Sequence, residues 1–536
     1  MKKLRVVLAF VLIALLATVF VACGENNSDN SENSQPSEGL EYTLNEKGNY
    51  EYIVTDIGTC TDKNVVIPSE YNSRIVKGIG DNAFKDCTGI ESITIPDSVT
   101  SIGSNAFEGC ANLKSVTIGK GLTSISNKAF KDCNELRNIY YVGDVAGWCG
   151  ISGLGYLMPF SRTLYIGGKK VEANLTIPAT VTNIGDDAFY GCTALRSLTI
   201  SNGVTSIGED AFFYCNGLTS VNIPGSVTSI GDSAFNSCSR LTSIKIPDSV
   251  TNIGSNAFYG CSELSSIEIS NSVMRIGHNA FAYTAWHNDQ PNGVVYIGNF
   301  AYGYKGTMPS NTSIALRNGT RYIADHAFSR CAGLTSVNIP GSVTNIGNSA
   351  FYGCTGLTSV TIGNGVMSID DCAFSGCTGL TSVVIPDSVT SIGESAFSGC
   401  TGLTSIVAPD KAISIGRDAF VNTAWYKIQA NGVVYIGKVA YGYKGTMSNY
   451  ASITLKNDTL SIADSAFKFC REMSSITIPN SVTIIGKDAF YYCSDLFRIT
   501  FEGTTSQWRA IGKGLDWNYN VPSFCDVYCT NGTISI

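Results

Sequence analysis

Charge and histidine are what this 536-residue chain has least of. Charged residues make up 15 % of it, and the formal net charge of −7 is scattered along the chain rather than grouped. No basic stripe exists to neutralise a phosphate backbone, so nucleic acid is excluded as a partner. Histidine occurs only at His278, His287 and His326, without the short spacing of a metal-ligand motif. His278 and His326 occupy variable positions just before an Ala-Phe pair that elsewhere hold Ser, Asn or Asp, and both are expected to face solvent. A Gly-rich phosphate loop, a nucleophile elbow and a zinc motif are missing. Carboxylates such as Asp387 and Glu394 recur as turn residues, so no acid and base are singled out for glycoside hydrolysis. Neither catalysis nor a cofactor is expected.

The N-terminus is built differently from the rest. Lys2, Lys3 and Arg5 precede an apolar run from Val6 to Ala22 broken only by Thr18, and Cys23 follows. That layout makes residues 1–22 a bacterial export signal. Ala22 before Cys23 resembles the bacterial lipoprotein lipobox, with Phe20 where Leu is usual, which implies lipid attachment at Cys23. An ordinary cleaved signal and an uncleaved span stay open, since the run sits at the short end of the spanning range. Residues 23–40 are rich in Ser, Asn and Glu and include Pro36, too polar to bury a core, and read as a flexible tether. The chain is therefore expected to be exported and held at the cell surface, touching membrane through the N-terminal lipid only.

What the sequence does have is a period. The phrase Ile-Gly-x-x-Ala-Phe recurs from residue 80 onward, and its phenylalanines run in fifteen copies from Phe84 to Phe490. Most neighbours are 23 residues apart; the gaps are 59 from Phe130 to Phe189 and 47 from Phe281 to Phe328 and from Phe420 to Phe467. A fixed period in the twenties marks a solenoid in which each unit buries its apolar face against its neighbours. One clean copy shows how a coil works. Leu380, Val383 and Ile385 form a short parallel strand with Thr381, Ser382 and Val384 exposed, and Pro386 ends its ladder. Val389 and Ile392 return to the core, Gly393 permits a tight turn, and one helical or 3₁₀ turn ends in Ala396 and Phe397, which fills the coil. With about 4.8 Å between strands, some nineteen coils span on the order of 90 Å.

The phrase resembles the bacterial leucine-rich repeat of BspA-like surface proteins, over residues 41–536. The resemblance implies an α/β repeat fold, a leucine-rich-repeat solenoid with short parallel strands and short helical or 3₁₀ turns. Residues 41–80 read as an N-terminal capping unit, 81–493 as the solenoid, and 494–536 as a C-terminal cap. Irregular inserts fall near 134–180, 284–320 and 423–459. For function, the resemblance implies adhesion to host extracellular-matrix proteins or to other cells; a structural or carbohydrate-capturing surface lipoprotein is the alternative, and a degradative enzyme on a repeat scaffold comes third. Ser388 and its equivalents stand where the general leucine-rich pattern has an asparagine ladder.

Nineteen cysteines in an exported chain suggest a disulfide framework, but their positions argue otherwise. Thirteen of them, from Cys87 to Cys493, fall three residues after a repeat phenylalanine, and Thr284 and Thr423 take that place in the other two copies. Such a position asks for a small, semi-polar, buried side chain, and a reduced cysteine ladder is expected. Cys525 and Cys529, outside the register, are the candidates for a disulfide in the cap.

Two of the inserts are near-copies, 139 residues apart. Trp286, Tyr296, Tyr302 and Tyr304 return as Trp425, Tyr435, Tyr441 and Tyr443. These aromatics are candidates to stack on a glycan or anchor a host extracellular or cell-surface protein, and filling a wider coil is the other reading. A second pair of excursions places Trp148 five residues after Gly143 and Trp508 five after Gly503. The strand position shared by Ser92, Ser115, Ser336, Ser382 and Ser405 makes a long polar stripe, suited either to binding by area or to solubility alone.

Overall fold

A computed structural model describes residues 35–45, 50–126, 128–158 and 162–536. The export segment and Cys23 lie outside the described residues. The chain winds as about nineteen turns, some 23 residues each.

Each regular coil has three edges, and hydrogen bonds join each edge to a neighbouring coil, in long ladders on the second edge and in shorter runs on the first. On the first, Ser382–Val384 pairs in parallel with Ser405–Val407, Ser382 facing Ser405. Val383 and Ile385 point inward and are buried while Ser382 and Val384 are exposed, the alternation that a half-buried strand imposes. Pro386 ends this strand, and its carbonyl accepts the Val389 N–H at 3.0 Å. The second edge is the two-residue strand Ser391–Ile392, paired with Ser368–Ile369 and Ser414–Ile415.

The third edge carries the Ala-Phe pair. Ser398 N–H donates to Ser395 O at 3.0 Å and Cys400 N–H to Phe397 O at 3.2 Å, three residues back in each case. Ser395 has a left-handed backbone, φ 54°, so a helix cannot continue through it. The expected helical turn is realised as a chain of hydrogen-bonded turns, and every second N–H is free to reach the next coil. Phe374 N–H donates to Ala396 O and Phe397 N–H to Ala419 O, both at 2.7 Å.

Gly393 corrects its expected role. Its φ is not left-handed; a Cβ there would lie 2.5 Å from the Asp371 backbone N and from its Oδ1. The glycine is needed for the approach of one coil to the next, not for a turn. That approach lets Asp371 Oδ1 accept the Glu394 N–H at 2.7 Å, and Asp81, Asp186 and Asp232 do the same for Ser104, Glu209 and Ser255 at 2.6–2.8 Å. The repeated carboxylates are thus bonded between coils.

The core is a file of rings. Phe374, Phe397 and Phe420 stack face to face at 5.1 Å between centroids, and all three are fully buried. Each buried ring contributes about 1.5–3 kcal/mol through lost apolar surface, plus roughly 0.5–1.5 from ring pairing. Beside the rings run the thiols: Cys400 Sγ donates to Phe374 O and Cys377 Sγ to Phe351 O, each at 3.1 Å. Burial pushes the Cys192 and Cys261 thiols up to about 12, so they stay protonated and unreactive. Every described cysteine is a free thiol, Cys525 and Cys529 included, so the disulfide expected between these two is not formed. The reason is local: Asp526–Cys529 is a strand, and four extended residues separate the Cα atoms by about 13 Å, well beyond disulfide reach.

Both ends are closed by antiparallel strands. Glu41–Asn45 pairs with Glu51–Asp56, which lies parallel on Arg74–Ile79. At the other end Gly532–Ser535 runs antiparallel to Asp526–Cys529, itself parallel to Arg498–Phe501. These strands cover the apolar ends that a solenoid exposes. The two tryptophan excursions are short capped helices, Val145–Cys149 after Asp144 and Thr505–Ala510 after Thr504. Trp148 and Trp508 are buried, and the Trp148 indole N–H donates to Ala188 O at 2.6 Å, the carbonyl position that a repeat phenylalanine N–H uses elsewhere.

Candidate functional site

The two inserts leave the solenoid by the same route. At the cysteine position Thr284 donates its hydroxyl to Phe281 O at 2.8 Å and accepts the His287 N–H at 3.0 Å, capping the helix Ala285–Asn288. Thr423 does the same for Phe420 O and Tyr426 N–H ahead of Ala424–Ile428. A thiol accepts hydrogen bonds weakly, which is why threonine replaces cysteine where a helix must start. A hairpin follows each helix, Gly293–Ile297 with Phe300–Lys305 and Gly432–Ile436 with Val439–Lys444. Its second strand pairs with the next coil, Phe300 facing Tyr322 and Val439 facing Ser461.

The aromatic candidates divide by position. Tyr302 and Tyr441 are each only 8 % exposed. Their hydroxyls accept the N–H of Phe281 at 2.8 Å and of Phe420 at 2.9 Å, bonds that other coils make to the following alanine. Trp286 sets its edge against Phe281 and Tyr302, and Trp425 against Phe420. Tyr296 accepts the Arg317 N–H and lies under its guanidinium at 4.2 Å, while Tyr435 stands in the same relation to Lys456 at 4.3 Å. Tyr304 and Tyr443, half-buried, each line a hollow beside the insert.

The first hollow, of about 350 Å³, is lined by Tyr283, Tyr304, Cys331 and all three histidines of the chain. His278 and His326 do not face solvent as expected. They are half-buried, with ring centroids 4.4 Å apart. The cause is the insert itself: it loops out, and the coils on either side of it become neighbours. Asp325 N–H donates to Ile276 O at 3.2 Å, and Arg275 pairs with Asp325 at 2.8 Å across the same junction. Burial holds the imidazoles of His278, His287 and His326 below their ordinary range, aided by the neighbouring His326, Lys305 and Arg330 respectively; Asp325 opposes the shift at His278. Sequence spacing hid this convergence. The usable signal was that His278 and His326 flank one insert.

The second hollow, about 260 Å³, has Arg417, Tyr426 and Ser465 at the three histidine positions, with Tyr443, Lys468 and Cys470 around them. A third hollow of about 420 Å³ holds Asp370, Asp371, Glu394 and Asp464. Bonds within the fold already occupy it: Asp371 and Asp464 accept the backbone N–H of Glu394 and Lys487, and Asp370 accepts the Asn345 amide. Among the described residues, no group of three or more His, Cys, Asp or Glu is placed to hold a metal ion. Among the same residues, no helix is long and apolar enough to cross a membrane.

A leucine-rich repeat protein of Bacteroides ovatus is similar at 24 % identity, over 93 % of this chain and 100 % of that one, with a TM-score of 0.33. A leucine-rich cell surface protein of Faecalibacterium prausnitzii is 25 % identical over 90 % and 98 %, with a TM-score of 0.29. The pneumococcal vaccine antigen PcpA is 17 % identical over 93 % and 98 %, with a TM-score of 0.24. None of the curated proteins matches. The BspA type leucine rich repeat region matches in six copies, over residues 59–146, 169–286, 295–427 and 434–514. With more than half of its length so matched, the chain belongs to the BspA-type leucine-rich repeat family.

Proposed function

We propose that the chain is a non-enzymatic binding protein, exported, held at the cell surface through Cys23, and turned with its strand edge toward a protein of the host matrix or of another cell. The observation that carries this reading is the outward row of that edge. Ser197 faces Ser220, Ser243 faces Ser266, Ser336 faces Ser359 and Ser382 faces Ser405, each pair one coil apart. A long, evenly spaced row of small polar groups offers area rather than a pocket, and extended repeat surfaces bind by area. Membership of the BspA-type repeat family supports protein–protein interaction in general.

The test is to immobilise the mature chain and challenge it with matrix proteins, glycans and whole cells. A protein or cell ligand should bind, and the triple substitution Ser359→Arg, Ser382→Arg and Ser405→Arg should weaken it by roughly tenfold or more, because three bulky charges break a flat contact. No binding in any of the three classes sinks the reading. A native mass spectrum without diacylglycerol on Cys23 removes the anchor.

A further inference from the structure

The first insert gathers what the chain otherwise lacks. Three histidines, separated by 9 and 39 residues, line one hollow of about 350 Å³, and the copied insert has none of them. The groups facing them come from four elements. The preceding coil gives Tyr283, with Arg275 behind Asp325, and the helix carries His287 itself. The hairpin gives Tyr302, Tyr304 and Lys305, and the following coil gives Asp325, Arg330 and Cys331. The fixed charge among them is positive. Lys305 donates to the carbonyls of Asn288 and Gln290 beside His287, and Arg330 stands near His326. The one carboxylate among the described residues that line the hollow, Asp325, is taken up by Arg275 at 2.8 Å and by the Asn348 N–H at 2.9 Å.

Tyr283 adds a second observation. Its ring is 61 % exposed and lines the hollow. Its left-handed backbone, φ 57°, is common to this position of the coil, held by Gly260 and Gly399 and equally by Tyr214, Phe469 and Tyr492 at φ 56–62°, so it is the exposed ring and not the backbone that is offered to a ligand.

We propose that this hollow binds a carboxylate-bearing sugar of an acidic glycan, and that it does so on acidification. A uronate-type residue matches it on each side: its carboxylate pairs with imidazolium groups, its ring lies against Tyr283 or Tyr304, and its hydroxyls meet the amide of Asn288 and the Oδ1 of Asn279, whose Nδ2 is held by His278 Nε2 at 2.9 Å. An acidic peptide would use the charge and leave the aromatic ring and the amides idle. Burial and nearby cations keep the three imidazoles neutral until the pH falls below their ordinary range. A bound carboxylate then raises their proton affinity, so binding takes up protons. The site rests on the reading of the chain as an exposed binding protein and is independent of the strand edge.

The experiment is calorimetry of the whole mature chain with oligogalacturonate at about pH 5.0 and pH 7.5, beside a neutral cello-oligosaccharide and polyglutamate. Oligogalacturonate should bind roughly tenfold or more tightly at the lower pH, with proton uptake, and the neutral sugar should not bind. The double variant His278→Asn/His326→Asn should lose that pH dependence while melting like the parent at pH 7.5. Tyr283→Gly, which installs the residue of the preceding coil, should weaken binding and keep its pH dependence. Equal affinity at the two pH values, unchanged binding by the histidine variant, or no binding at pH 5.0 overturns the proposal. Binding of polyglutamate in place of the glycan overturns the choice of ligand. Loss of binding in the serine-to-arginine variant alone touches only the strand-edge reading.

Discussion

At the first insert Tyr302 closes the coil, and His278, His287 and His326 line the hollow beside it. At the second, 139 residues on, Tyr441 closes the coil, and Arg417, Tyr426 and Ser465 stand in those three places. The residues kept between the copies make bonds that the solenoid needs: the threonine caps, the tyrosine hydroxyls and the hairpin pairing. The three residues that line the first hollow as histidines differ in the second, where Arg417 instead pairs with Glu394 of the preceding coil. The duplicated stretch has therefore kept its skeleton and changed the chemistry of the hollow beside it.

The largest test of this comparison is to remove the closing ring. Tyr302→Ala and Tyr441→Ala should each cost about 3–5 kcal/mol, and Tyr→Phe at either site about 1–3 kcal/mol, because a buried N–H loses its acceptor. Urea unfolding followed by hydrogen exchange at residues 281–305 and 420–444 measures both. If one insert is insensitive, the two do not share a skeleton. Next in size are the caps. Thr284→Ala and Thr423→Ala should each cost about 1 kcal/mol, with Ser restoring most of it. A cap that matters in one copy only would point to different helix starts.

The smallest effect separates the copies. The first insert holds imidazoles whose proton affinity is lowered on folding, so its stability is full above their ordinary range and falls as pH drops through it. His278→Asn/His326→Asn should leave the melting temperature unchanged at pH 7.5 and raise it relative to the parent at pH 5.0. Arg417→Gln in the second insert should show no such pH-dependent gain. A parent and histidine variant that melt alike at both pH values would remove the distinction.

The coil was legible in the sequence because each unit repeats the same contacts: Phe397 in the ring file, Cys400 against the Phe374 carbonyl, and Val383 and Ile385 inward. Local spacing was enough there. The reason for Gly393 is not legible in its own turn, since its close neighbour is Asp371 of the preceding coil. Cys525 and Cys529 stand out as a pair by lying outside the repeat register, yet the extended strand between them holds them apart. The histidine hollow was invisible for the converse reason. His278 and His326 are far apart along the chain, and only the looping out of the insert makes their coils adjacent.

The ring file ends face-on stacking at Phe281 and again at Phe420. Phe189 to Phe281 and Phe328 to Phe420 each form one unbroken run, but the last ring of each meets Trp286 and Tyr302, or Trp425 and Tyr441, edge-on. In a structure stabilised neighbour by neighbour, cooperativity passes along a run and has to renegotiate at such a joint. The long array is therefore a set of sections in series. The inserts act as firebreaks: disorder that starts in one section meets different contacts at the joint, and the ladders beyond it keep their own support.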